Sequence, residues 1–131
     1  MDLTSTLAIL ERDLPGLAGV YLFGSRAAAA ARPESDVDLA VYSDRPIEAN
    51  LLREVRARLE AALNEDVDLV DLRTASTVLQ MQVLSAGSPV AVINPSVLGQ
   101  FELRALRDYH DLKRRRAEIE ADVVRRGRVY G

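Results

Sequence analysis

The residues between Asp36 and Tyr42 alternate in character, and this alternation restricts the fold more than any other feature of the sequence. One set of alternate positions is entirely apolar and the other contains two aspartates: Val37, Leu39 and Val41 form the first set, and Asp36, Asp38 and Ala40 form the second. Because successive side chains of a β-strand point to opposite faces of the sheet, the pattern predicts a strand with one face in a core and one acidic face.

Further patterns predict an α/β (α+β) fold in which helices flank a mixed four-stranded sheet. Apolar runs predict strands at 20–23, 36–42, 66–71 and 89–93, and apolar residues at helical spacing predict helices at 2–13, 47–63, 74–86 and 96–126. We expect one domain over residues 1–131, with its core in about 1–94. The last helix would be about 45 Å long. That exceeds the roughly 30 Å diameter of such a domain, so part of the helix should project or wrap, which suggests that it contacts a partner.

Composition excludes several kinds of site. The chain of 131 residues has no cysteine and a single histidine, His110, so disulfides, thiolate sites and a histidine-rich zinc site are excluded. A bound metal would therefore be held by oxygen atoms, which favours magnesium or manganese. We expect His110 to be a solvent-facing helical residue. The N-terminus does not resemble a signal peptide and no apolar stretch is long enough to span a membrane, so a cytoplasmic location is expected.

Charge is distributed unevenly along the chain. Residues 101–131 carry nine basic and six acidic side chains, whereas the first hundred residues are net acidic. The basic excess allows contact with nucleic acid or with an acidic protein surface. Acidic residues alternate with the arginines and aromatic residues are few, so a solvated helix face is the simpler interpretation. Direct binding of nucleic acid is not expected.

A glycine and a hydroxyl follow the first predicted strand. Gly24 would allow the backbone to approach a phosphate closely, and Ser25 would add a donor at the start of a helix-prone stretch, 26–31. Arg26 would supply a counter-charge for a leaving phosphate, or would be an ordinary surface arginine. An ordinary turn is the alternative interpretation of the Gly-Ser pair.

Three aspartates could form a metal site. Asp36 and Asp38 project from one strand face, roughly 6.5–7 Å apart along the chain, which suits two magnesium ions ~3.5–4 Å apart. Charges that protect an edge strand from aggregation are the alternative. Asp68 has the same phase on the third strand, and it could ligate a metal or accept a proton. Asp66 and Asp71 compete with it, but Asp71 should point to the opposite face.

These motifs resemble those of a known superfamily. Gly24-Ser25, ten intervening residues and Asp36-Val37-Asp38 are similar to the G-S-x10-D-x-D signature of the DNA polymerase beta nucleotidyltransferase superfamily, and Asp68 matches its third aspartate. The chain looks like the minimal nucleotidyltransferases, and among them the MntA-type antitoxins paired with HEPN-domain ribonuclease toxins. One departure is Ala28-Ala29-Ala30, where an Arg-Gly pair is often found, so a second arginine contact with phosphate is missing.

The resemblance implies a palm-like core and a magnesium-dependent enzyme. It would transfer AMP from ATP to a tyrosine hydroxyl of the toxin, with Asp36, Asp38 and Asp68 holding two magnesium ions. Gly24, Ser25 and Arg26 would contact the triphosphate. One alternative is a non-catalytic antitoxin that occludes the toxin through its last helix, with Tyr109, Val123 and Tyr130 as contact candidates. The same helix could also form a homo- or hetero-oligomer. A second alternative is transfer to a small molecule such as an aminoglycoside, but such enzymes usually add a substrate-binding domain.

Overall fold

The computed structural model describes residues 2–24 and 36–130, so Ser25, Arg26 and the stretch predicted to be helix-prone lie outside the described residues. Four helices and four strands follow one another along the described chain. They are α1 (Leu3–Asp13), β1 (Leu17–Phe23), β2 (Val37–Ser43), α2 (Ala49–Leu63), β3 (Val67–Asp71), α3 (Thr77–Ala86), β4 (Ser88–Val92) and α4 (Pro95–Tyr130). No helix in this part of the chain combines the length and the apolar character needed to cross a bilayer.

The sheet is mixed, as predicted. Its strand order is β3-β2-β1-β4. Strand β1 pairs antiparallel with both β2 and β4, whereas β2 and β3 are parallel. Pro89 lies in β4 at the edge of the sheet, where a residue without a backbone N–H can be tolerated. The parallel β2–β3 pair is joined by a crossover that contains α2, the arrangement expected for parallel neighbours.

Local capping explains where several helices begin and end. Asp2 precedes α1 and accepts hydrogen bonds from both the backbone N–H and the hydroxyl of Ser5. Ser76 precedes α3 and accepts from the N–H of Leu79 at 3.1 Å, so Ser76 is the cap of this helix. Asn64 adopts a left-handed conformation with φ of 53° and ends α2.

Each face of the sheet has its own apolar cluster. One face, here called the aliphatic face, is covered by α1 and α2, and its buried residues include Leu10, Leu14, Val20, Val37, Leu39, Val41, Val55, Leu59, Val67 and Leu69. The other, here called the aspartate face, is covered by α3 and the first part of α4, and its buried residues are Ala18, Tyr21, Ala40, Tyr42, Leu72, Val83, Leu98, Phe101 and Ala105. The alternation predicted for β2 is therefore confirmed.

An ionic contact joins the two helices over the aliphatic face. Arg58 of α2 donates to the carboxylate of Asp13 at the end of α1, at 3.0 Å. Asp13 also accepts from its neighbour Arg12 at 2.8 Å. The hydrogen bonds from Arg12 and Arg58 lower the pKa of Asp13 to about 2. The carboxylate therefore remains ionised, and this contact persists, across the physiological pH range.

The first part of α4 packs closely on the sheet. A β-carbon at Gly19 would lie 2.6 Å from a methyl carbon of Leu98, so the missing side chain allows this close approach. The rings of Tyr42 and Phe101 stack with their centroids 4.2 Å apart. The Tyr21 hydroxyl donates a short hydrogen bond to Glu102. These contacts fix the direction of α4 across the sheet.

The second part of α4, residues 106–127 and here called its projecting part, extends away from the domain, as the length of the helix predicted. No residue of 106–127 is buried, and Ile119 is 64% exposed. Arginines here pair with acids of the same helix: Arg114 with Asp111 at 3.0 Å, and Arg126 with Asp122 at 3.0 Å. This pairing agrees with a solvated helix face. His110 is exposed, as expected.

Candidate active site

Two carboxylates meet because β2 and β3 are aligned in register. Asp38 of β2 is the pairing partner of Asp68 of β3 in the parallel ladder. Directly opposed residues of neighbouring strands point to the same face, and such strands lie roughly 4.8 Å apart. Asp36 immediately precedes β2 and is two residues from Asp38, so it has the same phase. The described structure thus brings the three sequence-predicted aspartates to one end of the aspartate face.

The two neighbouring carboxylates affect the ionisation of Asp38. Burial raises the pKa of Asp38 above its usual value, and the negative charges of Asp68 and Asp36 raise it further. Ionised Asp38 is therefore held in a partly desolvated position beside two like charges. That arrangement is unfavourable in isolation and becomes favourable when a cation is shared.

The donor set fits a hard divalent cation such as magnesium, because its atoms are carboxylate oxygens from adjacent strands. In residues 2–24 and 36–130, no three acidic or histidine side chains are already gathered closely enough to ligate a single ion. Asp38 and Asp68 therefore form an aligned pair, with Asp36 beside it as the third donor. The role of the three residues as metal ligands stays a prediction.

Gly24 completes the described part of the site. Phe23 pairs with Asp38 at the end of β1, and Gly24 follows with φ of 70°, a left-handed conformation that favours glycine. A β-carbon at this position would lie 2.1 Å from a carboxylate oxygen of Asp38. Gly24 is therefore needed both for the turn and for the position of the Asp38 carboxylate. The predicted nucleotide contacts of Ser25 and Arg26 lie outside the described residues.

Asp66 and Asp71, the other candidates for the third carboxylate of the site, have other roles. Asp71 aligns with Val41 on the aliphatic face and is only 6% exposed. Its side chain accepts from the backbone N–H of Arg73 at 3.0 Å, and burial raises its pKa while the hydrogen bond and charge of Arg73 oppose that shift. Asp66 precedes β3 and accepts through its backbone carbonyl from the N–H of Val37 at 3.0 Å. Its backbone therefore begins the pairing of β2 with β3.

The contact of Gly24 with Asp38 was not predicted from the sequence. The sequence indicates a glycine suited to a phosphate, but the contact depends on the antiparallel register of β1 against β2, which is a long-range property. The only sequence signal was the position of Gly24 directly after a strand, and that position is equally typical of ordinary turns.

Comparison with known proteins identifies the class that this fold and site define. The family model described as "Polymerase beta, Nucleotidyltransferase" matches residues 7–95. That range contains all four strands and the three aspartates. The chain belongs to the polymerase beta nucleotidyltransferase family.

Several proteins of that family are similar to this chain over most of its length. The protein adenylyltransferase MntA of Shewanella oneidensis is 34% identical over 119 residues, which cover 90% of this chain and 84% of the relative. A crystal structure of a toxin–antitoxin with AMP-PNP matches with a TM-score of 0.82 and 32% identity, covering 95% of this chain and 99% of the matched one. A structure of a tri-AMPylated Shewanella oneidensis HEPN toxin in complex with MNT antitoxin matches with a TM-score of 0.75 and 32% identity, covering 93% and 95%.

Proposed function

We propose that this chain is a magnesium-dependent protein adenylyltransferase that acts in the cytoplasm as the antitoxin of a HEPN ribonuclease toxin. It transfers AMP from ATP to a tyrosine hydroxyl of that toxin. The observation that carries the proposal is the in-register pair of Asp38 and Asp68 beside Gly24, found in a chain that matches an adenylyltransferase over 90% of its length. The AMP-PNP and tri-AMPylated toxin complexes of similar chains support the nucleotide and the acceptor.

The chain's own residues have distinct tasks in this reaction. Asp36, Asp38 and Asp68 hold magnesium, which when bound neutralises charge on the triphosphate and increases the acidity of the acceptor hydroxyl. Gly24 leaves room for the Asp38 carboxylate at the end of β1. Its place directly before Ser25 would also let the triphosphate approach the backbone closely. From their positions in the sequence, Ser25 and Arg26 would contact the phosphates that leave.

The transfer is an in-line displacement at phosphorus. The acceptor oxygen forms a bond to the α-phosphorus of ATP, and the bond from that phosphorus to the bridging oxygen of pyrophosphate breaks. Pyrophosphate leaves with the electron pair of the broken bond. The hydroxyl proton passes to the carboxylate of Asp68, which is more exposed than its partner Asp38 and so is better placed to exchange that proton with water.

The experiment combines the chain with ATP, magnesium and its cognate HEPN protein and measures the intact mass of the HEPN protein over time. We expect mass increments of AMP. Asp38→Asn should slow their appearance by about 10³-fold, because loss of a metal ligand removes several kcal/mol of transition-state stabilisation. Glu11→Gln, an exposed acid on α1, is the matched control and should retain the wild-type rate. Equal rates for Asp38→Asn and Glu11→Gln would refute the catalytic assignment.

Neutralisation by occlusion is a second candidate, and one observation favours it. The projecting part of α4 exposes Ile119 and Val123, which are 64% and 60% exposed and lie one helical turn apart. The double variant Asp36→Ala/Asp38→Ala distinguishes the candidates in a growth assay with the toxin expressed. Growth arrest supports catalysis, whereas full rescue by the double variant supports occlusion.

A further inference from the structure

A polar cavity lies on the aspartate face, at the end of β2 opposite the candidate active site. It has a volume of about 230 Å³ and is lined by Tyr42, Arg73, Gln80, Phe101, Arg104, Ala105 and Asp108. Tyr42 is four residues from Asp38 along β2, a separation of roughly 13 Å. The cavity thus shares a sheet face with the candidate active site but none of its residues. No motif in the sequence pointed to it.

Arg73 lines this cavity and has one unsatisfied donor. One terminal nitrogen of its guanidinium donates to the carbonyl of Ser43 at 2.7 Å, and the guanidinium lies over the Tyr42 ring, 5.0 Å from its centroid. Its Nε–H is buried and has no hydrogen-bond partner among the described residues. A buried guanidinium N–H without an acceptor is costly, so Arg73 retains hydrogen-bonding capacity that the described residues do not use.

The other polar groups add further donors. Arg104 donates to the Tyr42 hydroxyl oxygen at 2.9 Å, and because arginine can only donate, the hydroxyl proton of Tyr42 is left for another acceptor. Gln80 donates one amide N–H to the carbonyl of Leu72 at 2.9 Å and keeps a second. Asp108 is the single carboxylate among the lining residues, so the two arginines leave a net positive charge.

We propose that this cavity binds the phosphate group of a nucleotide. The proposal rests on the proposed function for the nature of its ligand. Arg73 and Arg104 contact the phosphate oxygens through charge-assisted hydrogen bonds, and Asp108 accepts from a sugar hydroxyl. The phosphate belongs either to a free nucleotide or to an AMP already linked to the acceptor, since a toxin of a similar complex carries several AMP groups.

The first test is titration of the full-length chain with AMP, and separately with inorganic phosphate, in buffer that contains a chelator. Without metal, the aspartate site repels anions, so binding reports on the arginine cavity. We expect one saturable site for AMP, weakened at least tenfold by Arg104→Gln, roughly what loss of a charge-assisted hydrogen bond produces. Arg107→Gln makes the same charge change at an exposed position of α4 that is not among the cavity-lining residues, and it should bind as wild type does.

Two further variants test the second arginine of the cavity and binding at the aspartate site. Arg73→Gln should also weaken AMP binding, but Arg73 supports the carbonyl of Ser43, so its fold is checked by circular dichroism and its result counts only if the spectrum is unchanged. Asp38→Asn should bind AMP as wild type does in chelator, which places the ligand outside the aspartate site. Absence of saturable binding, or equal affinity in Arg104→Gln and Arg107→Gln, overturns the proposal.

The source of the phosphate is distinguished by the mass distribution of the modified acceptor. If a linked AMP occupies the cavity, Arg104→Gln lowers the ratio of multiply to singly modified acceptor, by roughly tenfold for the same lost contact. If a free nucleotide occupies it, that ratio equals the wild-type ratio while AMP affinity is lost. An acceptor that is never modified contradicts the proposed function, whereas the titration is independent of the acceptor.

Discussion

The same strands form both faces of the sheet, but the two faces have different roles. On the aliphatic face, Val37, Leu39 and Val41 of β2 are completely buried beneath α1 and α2. On the aspartate face, the intervening positions change character along the strand, from the partly exposed Asp38 through the buried Ala40 to the stacked Tyr42. On β2, one face is uniformly apolar, and the other changes from a charged residue to a small apolar residue and then to an aromatic residue.

This difference shows how a small protein can keep a destabilised site. Asp38 is partly buried beside two other carboxylates, which lowers the stability of the metal-free fold. The same strand gains stability from the side chains on its opposite face, because each buried aliphatic side chain contributes about 1.5–3 kcal/mol. The aliphatic face therefore offsets the cost of the Asp38 charge. Removal of a buried aliphatic side chain and removal of that charge should have opposite effects on stability.

The largest stability effect is expected on the aliphatic face. Leu39→Ala should lower the free energy of unfolding by about 3 kcal/mol, because it leaves a cavity at a completely buried position. Equilibrium unfolding in urea measures the change. Ile119→Ala, at a 64% exposed position of α4, is the control and should change stability by less than about 0.5 kcal/mol. A comparable loss in the control would mean that the projecting part of α4 is packed in solution, and the comparison of the two faces would fail.

An intermediate effect is expected where β1 ends against the aspartates. Gly24→Ala should lower stability by roughly 1–2 kcal/mol, the cost of a left-handed conformation for a residue with a side chain. It should also reduce AMP transfer, because the new methyl group would displace the Asp38 carboxylate. Thermal unfolding and the mass assay measure the two effects.

The control for Gly24→Ala is Gly99→Ala, on the helix α4. A β-carbon at Gly99 would meet no atom within 4 Å, so this substitution should stabilise the helix by roughly 0.5–1 kcal/mol. Wild-type activity in Gly24→Ala would show that the carboxylate of Asp38 does not need its observed position.

The two faces also differ in how far the sequence predicts them. The alternation of β2 predicts which residues face each cluster, and the shared phase of Asp38 and Asp68 predicts that both project from one face. These are local patterns, so they follow from the period of a strand. The boundaries shift by a few residues, as for β1, which begins at Leu17 and not at Val20. Leu17, Ala18 and Gly19 lack the β-branched or aromatic character of the two residues that follow, so the pattern did not mark them as strand.

The contacts across the aspartate face could not be predicted in this way. The contact of Gly24 with Asp38 depends on antiparallel register, and the stacking of Tyr42 on Phe101 depends on where α4 crosses the sheet. The cavity that contains Arg73 and Arg104 combines residues from the end of β2, the turn after β3 and two helices, with no periodic pattern to mark it. Such contacts are set by packing between distant segments, and sequence periodicity reports only on the segment itself.

The smallest effect, opposite in sign, is expected from Asp38→Asn in metal-free buffer. The substitution removes a partly buried charge beside two carboxylates and should raise the free energy of unfolding at pH 7 by roughly 0.5–1 kcal/mol. Because the pKa of Asp38 is raised in the folded protein, ionisation of Asp38 destabilises the fold fully above that raised pKa. The penalty disappears as the pH falls below the ordinary carboxyl value of 3.8, so the advantage of the variant should shrink towards zero there. Thermal unfolding between pH 7 and pH 3.5, with Glu118→Gln as the exposed control, measures this. A constant difference across that range, or a variant less stable than wild type at pH 7, would show that the charge on Asp38 is not what separates the two faces.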